Sequence, residues 1–149
     1  MNRRHLLTIC ALLLASLAIT PAASLHAQAA APVKTHHVVF ALTSGDVADW
    51  NLTLGNMRNL LTGFDTDPYE VELVAFGPGL SILKTGSTVA ADIAALQAKH
   101  VTFMACENSM RMQKVTVADL LPSIQPVPSG IVEVVTKQEK GWVYIKGGR

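Results

Sequence analysis

Compact apolar runs alternating with segments of helical periodicity constrain this chain more than any other feature. His37-Val38-Val39-Phe40-Ala41-Leu42 is apolar throughout after its histidine, the pattern of a strand buried on both faces. Thr43-Ser44-Gly45-Asp46 ends it as a turn, and Asp49 can cap a helix in which Trp50, Leu54, Met57, Leu60 and Leu61 recur at helical spacing. Gly63 lies near the close of that helix, and Asp65 to Pro68 forms a loop. Tyr69 to Phe76 (YEVELVAF) reads as a second strand, polar at its start and broken by Gly77-Pro78-Gly79. A helical turn over Leu80 to Lys84, a loop at Gly86-Ser87 and a helix-favouring stretch from Val89 to Lys99 follow. Val101 to Ala105 is the third strand, and Cys106 stands at its C-terminal end. Met110 to Leu121 reads as a broken helix ended by Pro122, and Ile124 to Val127 as a short fourth strand weakened by Pro126. Ile131 to Val135 suits a strand by residue type, yet Ser129 suits a helix cap, Lys137 and Lys140 a helix C-terminus, and Gly141 a stop. We assign a helix from Gly130 to Lys140 and a fifth strand from Trp142 to Lys146. Strands alternating with helices predict an α/β domain, a three-layer α/β/α sandwich around an open, mainly parallel sheet of about five strands.

The N-terminus reads differently. Arg3 and Arg4 precede an uncharged apolar stretch from Leu6 to Thr20, Pro21 breaks it, and small residues lead to Ala27-Gln28-Ala29. That order is the signature of a secretory signal peptide spanning residues 1–29, cleaved after Ala29. About 15 apolar residues fall short of the roughly 20 that a spanning helix needs. The Arg-Arg pair leaves general and twin-arginine export both open. Cleavage leaves a flexible lead-in over residues 30–35 and a domain over residues 36–146. Removing Arg3 and Arg4 from the 12 basic residues leaves 10 against 11 acidic ones, a net charge of −1 with no basic stripe for nucleic acid. The expected product is a soluble periplasmic protein without a membrane attachment. Cys10 departs with the signal peptide, so Cys106 is alone and has no intramolecular disulfide partner.

Ligands of open parallel sheets bind beyond the C-terminal strand ends. Three loops collect there: Ser44-Gly45-Asp46, Gly77-Pro78-Gly79 and Cys106-Glu107-Asn108-Ser109. Each glycine pair or turn alone is explained by tight turning, but convergence on one edge points to a site. The candidate nucleophile is Cys106, and the candidate substrate contacts are Asn108, Ser109, Ser44, Gly45, Gly77 and Gly79. Backbone amides of a helix starting after Cys106 would favour its thiolate, with Asn108 and Ser109 as capping and donor groups, while the Glu107 carboxylate disfavours it. The position alone leaves a reactive thiol and a packed core residue equally open. His100 sits six residues away, roughly 20 Å along an extended strand, so Cys-His hydrolase chemistry within one chain is not indicated. His36 and His37 point to opposite faces and lack evident ligand partners, so no metal is expected. No cofactor is expected either, because Thr43-Ser44-Gly45-Asp46 matches neither a Walker loop nor Gly-x-Gly-x-x-Gly and brings Asp46 against a phosphate.

The segments HHVVFALTSGD, WNLTLGNMRNLL, VAFGPGL, VTFMACENSM and VPSGIVEVVTKQEKGWVYIK together resemble the DsrE/DsrF-like family over residues 36–146. The most specific pieces are Ala105 to Met110 and the closing stretch from Val127 to Ile145. The resemblance implies a three-layer α/β fold assembled as a homo-oligomer, a trimer or a multiple of one. It also implies a persulfide carried on the cysteine after the third strand and passed to a partner protein or small sulfur compound. Trp50, Trp142 and Tyr144 are candidate interface anchors, with ordinary core packing as the competing reading of each. The functional expectation is an exported sulfur carrier or thiol redox protein acting through Cys106. A non-catalytic oligomeric module that binds a small ligand is the alternative.

Overall fold

A computed structural model describes residues 34–149. The expected signal peptide, its expected cleavage site and most of the expected lead-in lie outside the described residues. Five strands, β1 (His36–Leu42), β2 (Tyr69–Ala75), β3 (Thr102–Cys106), β4 (Gln125–Val127) and β5 (Val143–Lys146), form one sheet in the order β4-β3-β2-β1-β5. Every neighbouring pair is parallel, so the sheet is wholly parallel. The central β1 and β2 pair over their full length, from His36 opposite Tyr69 to Leu42 opposite Ala75. Pro126 is tolerated because β4 is an edge strand, where one side has no ladder to complete.

Four α-helices connect the strands: α1 (Val47–Phe64), α2 (Ala90–Gln97), α3 (Glu107–Gln113) and α4 (Gly130–Glu139). The connections β1 to β2, β2 to β3 and β3 to β4 all step toward one edge, whereas β4 to β5 crosses back past the whole sheet. Right-handed crossovers therefore place α4 on the opposite face from the other helices. The core follows that division. Val38, Phe40, Leu42, Val71, Leu73, Ala75, Phe103 and Ala105 face Trp50, Leu54, Met57 and Leu61 of α1, Ile93 and Leu96 of α2, and Met110 of α3. The other face buries Val39, Ala41 and Val74 against Val134 of α4, with Phe76, Met104 and Trp142 partly covered. It also buries a carboxylate. Glu72 is 1% exposed and is held by Lys137 Nζ at 2.8 Å.

Several local expectations shift. Asp46, not Asp49, caps α1, its side chain accepting from the Ala48 amide at 2.8 Å. The helical turn expected over Leu80 to Lys84 is a 3-10 helix spanning Gly77–Leu83. The helix expected from Met110 begins at Glu107 and stops at Lys114, which takes φ 54°, and only a 3-10 turn, Val117–Asp119, follows it. Ser129 precedes α4 without a side-chain capping bond. Trp50 belongs to the core, and its indole N–H donates to the Ser44 carbonyl at 2.8 Å, so it is no interface anchor.

Candidate functional site

Cys106 ends β3 and is the N-cap residue of α3, so the chain turns from strand to helix at the sulfur itself. By strand alternation its side chain emerges on the α4 face, beside Met104 and Phe76. The first residue of α4 closes over it. A Cβ added to Gly130 would stand 3.1 Å from Cys106 Cβ and 3.1 Å from Phe76 Cβ, so only glycine packs here without displacing a neighbour. Cys106 is consequently 4% exposed.

Opposing effects set the thiol's proton affinity. Burial pushes it up and is the largest single influence. Against it act the Gly130 amide, the Ser109 hydroxyl, and the Ser109 and Asn108 amides, which together bring the thiol below its ordinary value. Ser109 Oγ accepts the Gly77 N–H at 2.7 Å, which leaves its own proton for sulfur. Glu107 is not among the groups that shift this thiol.

Beyond Ser109 lies an open cleft of about 540 Å³, lined by Gly45, Gly77, Pro78, Ser109, Met112 and Gln113 among others. The three strand-end loops thus supply Gly45, Gly77 and Ser109 to one cleft. Gln113 fixes its wall, donating from Nε2 to the Gly77 carbonyl at 2.7 Å.

Four expected site residues have other positions. Cys106 lies behind Ser109 rather than on the cleft wall. Asn108 turns its side chain to Arg111 and reaches Cys106 only through its amide, so neither it nor Ser109 caps α3 from a side chain. Ser44 donates to Asp49 Oδ2 at 2.6 Å, away from the cleft. Gly79 is a packing residue, because an added Cβ would lie 2.3 Å from the Leu42 carbonyl oxygen. Ser44 belongs to a different assembly, in which Asp49 also accepts from Arg149 Nε at 3.0 Å and from the Arg149 amide at 3.2 Å.

Sequence reading missed Gly130 as a sulfur donor, although a glycine directly after Pro128-Ser129 at a helix start was a visible signal of close approach. His100 precedes the start of β3, whereas Cys106 is its last residue, at the opposite end. His36 and His37 do have carboxylates beside them, Asp67 Oδ2 and Glu70 Oε2, each at 3.4 Å. Among the described residues, no three His, Cys, Asp or Glu side chains gather as a metal-ligand set.

A parallel α/β sheet with a single cysteine at the end of its third strand, turned into a cluster of helix-terminal amides, defines the class. The chain belongs to the DsrE/DsrF-like family, whose model matches residues 23–146. No curated protein matches the sequence. Among solved structures, a protein of unknown function from Methanobacterium thermoautotrophicum, MTH1491, is 32% identical, with a TM-score of 0.71 over 74% of this chain and 98% of that one. The ychN protein from E. coli is 12% identical, with a TM-score of 0.58 over 74% of this chain and 98% of that one, a likeness of fold alone.

Proposed function

We propose that the protein is a sulfur carrier in which Cys106 accepts sulfane sulfur and hands it on, a thiol chemistry that also suits oxidant sensing. The supporting observation is the set of N–H and O–H donors from Gly130, Ser109 and Asn108 that draws the thiol below its ordinary value, since the thiolate is the attacking species. Cys106 thiolate attacks the outer sulfur of a persulfide R–S–SH, the S–S bond breaks, R–S⁻ leaves, and Cys106–S–SH forms. One S–S bond is exchanged for another, so no external oxidant is needed. Attack by an acceptor thiolate on the outer sulfur reverses the step and restores Cys106. The cleft edged by Gly45, Gly77 and Ser109 is the approach for the donor or acceptor, a partner protein or a small sulfur compound.

The 4% exposure of Cys106 favours a second reading, a binding module whose cysteine only packs. Mass analysis of the Cys106 peptide after exposure to polysulfide separates the two. The carrier gains one or more sulfur atoms, and Cys106→Ser abolishes the gain while leaving folding nearly intact. Absence of any gain, survival of loading in Cys106→Ser, or a loss of several kcal/mol in that variant would support the packing role. We further propose export by the N-terminal segment, with a mature periplasmic form starting at Ala30. An N-terminal sequence that retains Arg3 and Arg4 on a membrane-bound product would refute this. We propose a homo-oligomer as well, on the motive that Ile131, Val132 and Val135 of α4 and Val143 and Tyr144 of β5 are exposed.

A further inference from the structure

On the α4 face, at the start of β2 and β3, lies a second cavity of about 340 Å³ whose walls include Tyr69, Glu72, His100, Met104, Lys137 and Trp142. Cys106 is not on its wall. Glu72 is 1% exposed, and its two oxygens differ. Oε2 receives Lys137 Nζ at 2.8 Å, whereas Oε1, fully covered, finds no hydrogen-bond partner among the described residues. A buried carboxylate oxygen left unmatched is costly, and native proteins rarely leave one so without a use. Burial pushes Glu72 above the usual carboxylate range, and the hydrogen bond and charge of Lys137 draw it back. Oε2 accepts from an ammonium at 2.8 Å, and a carboxylate paired in this way only accepts, so whatever meets Oε1 must donate.

The surrounding charge selects the donor's sign. Glu133 Oε1 lies 3.6 Å from Lys137 Nζ, and Glu70 edges the same cavity. Glu72 and Glu133 thus flank the Lys137 ammonium, while Glu70, which meets His37 at 3.4 Å, adds a further carboxylate to the cavity wall. Trp142 already carries Lys137 Nζ at 4.0 Å from its ring centroid, a wall chemistry that accepts cations. We infer that this cavity is a binding site for a small organic cation with N–H donors, an alkylammonium or guanidinium group that donates to Glu72 Oε1 while its carbon tail packs on Met104, Tyr69 and Trp142. The volume sits at the low end for ligand pockets, which fits a small molecule.

The test uses the full chain with n-butylammonium as probe and n-butyltrimethylammonium as control, which keeps tail and charge but has no N–H. Binding is followed by the NMR indole N–H signals of Trp50 and Trp142, the latter identified by its loss in Trp142→Leu. The expected result is saturable movement of the Trp142 signal, with n-butylammonium preferred at least about tenfold, the scale of one hydrogen bond to a charged group. Glu72→Gln should erase that preference. If Glu72→Gln does not fold, calorimetry on Trp142→Leu replaces it, with weakened binding of both cations expected. Equal affinity for the two probes, no binding, or an undiminished preference in Glu72→Gln overturns the inference. A wild-type oligomer that Glu72→Gln dissociates, without any response to the amine, also overturns it and assigns Oε1 to a donor from a second copy.

Discussion

Ser109→Ala isolates what the hydroxyl does for Cys106. Ser109 Oγ accepts from Gly77 N–H at 2.7 Å, and its hydroxyl is among the groups that lower the Cys106 thiol, so the variant removes one stabilising group from the thiolate and one acceptor from the loop. A hydrogen bond to a charged group contributes about 1.5–3 kcal/mol. Sulfur accepts weakly and keeps the Gly130, Ser109 and Asn108 amides, which puts the loss at the lower end, about 1.5 kcal/mol, or roughly a tenfold smaller thiolate-to-thiol ratio. The Gly77 amide borders the open cleft, where water can replace the lost acceptor, so the stability cost should be about 1 kcal/mol. The assay is the pH dependence of iodoacetamide alkylation in a Cys10→Ser background, with urea denaturation of the same protein. The midpoint should move upward, and the rate below it should fall about tenfold. A midpoint unchanged from the parent, with the stability loss present, would show that Ser109 holds the Gly77 loop and does nothing for sulfur.

Two further outcomes are expected. The Ser44 hydroxyl, then the Arg149 side chain and amide, lower the Asp49 pKa from 3.8 to about 2. Because the folded value is depressed, Asp49 contributes stability at pH values above its unfolded pKa and loses it as pH falls through about 2. Urea denaturation between pH 5 and pH 2 should therefore show a smaller acid loss for Asp49→Asn than for wild type, and identical slopes would refute it. Ile131→Asp combined with Val135→Asp, on the exposed side of α4, should reduce the mass measured by light scattering to one subunit. A wild type that is monomeric at micromolar concentration would remove the oligomer proposal.

The strands were legible because burial on both faces writes itself as uninterrupted apolar runs. β1, β2, β3 and β5 lie within a residue or two of where those runs placed them. The choice of helix over strand for Ile131 to Val135 also held, since α4 buries only Val134 of that stretch deeply and leaves Ile131, Val132 and Val135 outside. The features that escaped are long-range. Asp49 looked like a cap, but its carboxylate is engaged by Ser44 and by Arg149, 100 residues away. Glu72 looked like the polar start of a strand, and only the arrival of Lys137, 65 residues on, makes its burial tolerable. The end of α3 escaped for a local reason. Lys114 adopts the left-handed conformation that glycine or asparagine usually announces. Of the site, the strand-end loops gave Gly45, Gly77, Ser109 and Cys106, but the loop residues Ser44 and Gly79 proved to serve packing and side-chain fixation.

The environment of Cys106 is a product of topology more than of the residues next to it. Because β4 to β5 reverses direction across the sheet, α4 crosses the face on which Cys106 emerges, and its first residue meets the sulfur. The same contact that supplies the Gly130 amide also covers the thiol, so acidity and access oppose one another. Moving α4 aside would expose sulfur and forfeit one donor, while Asn108 and Ser109, which belong to α3, would stay in place. The Asn108 and Ser109 donors can thus go on lowering the thiol while its cover opens. A persulfide, longer by one sulfur atom, needs more room than the close contact at Gly130 leaves, so loading calls for the start of α4 to give way. A methyl group there would stand 3.1 Å from both Cys106 and Phe76. Gly130→Ala should therefore hinder sulfur loading more than it hinders folding. Unimpaired loading in that variant would place the exit for the outer sulfur elsewhere, through the cleft beyond Ser109.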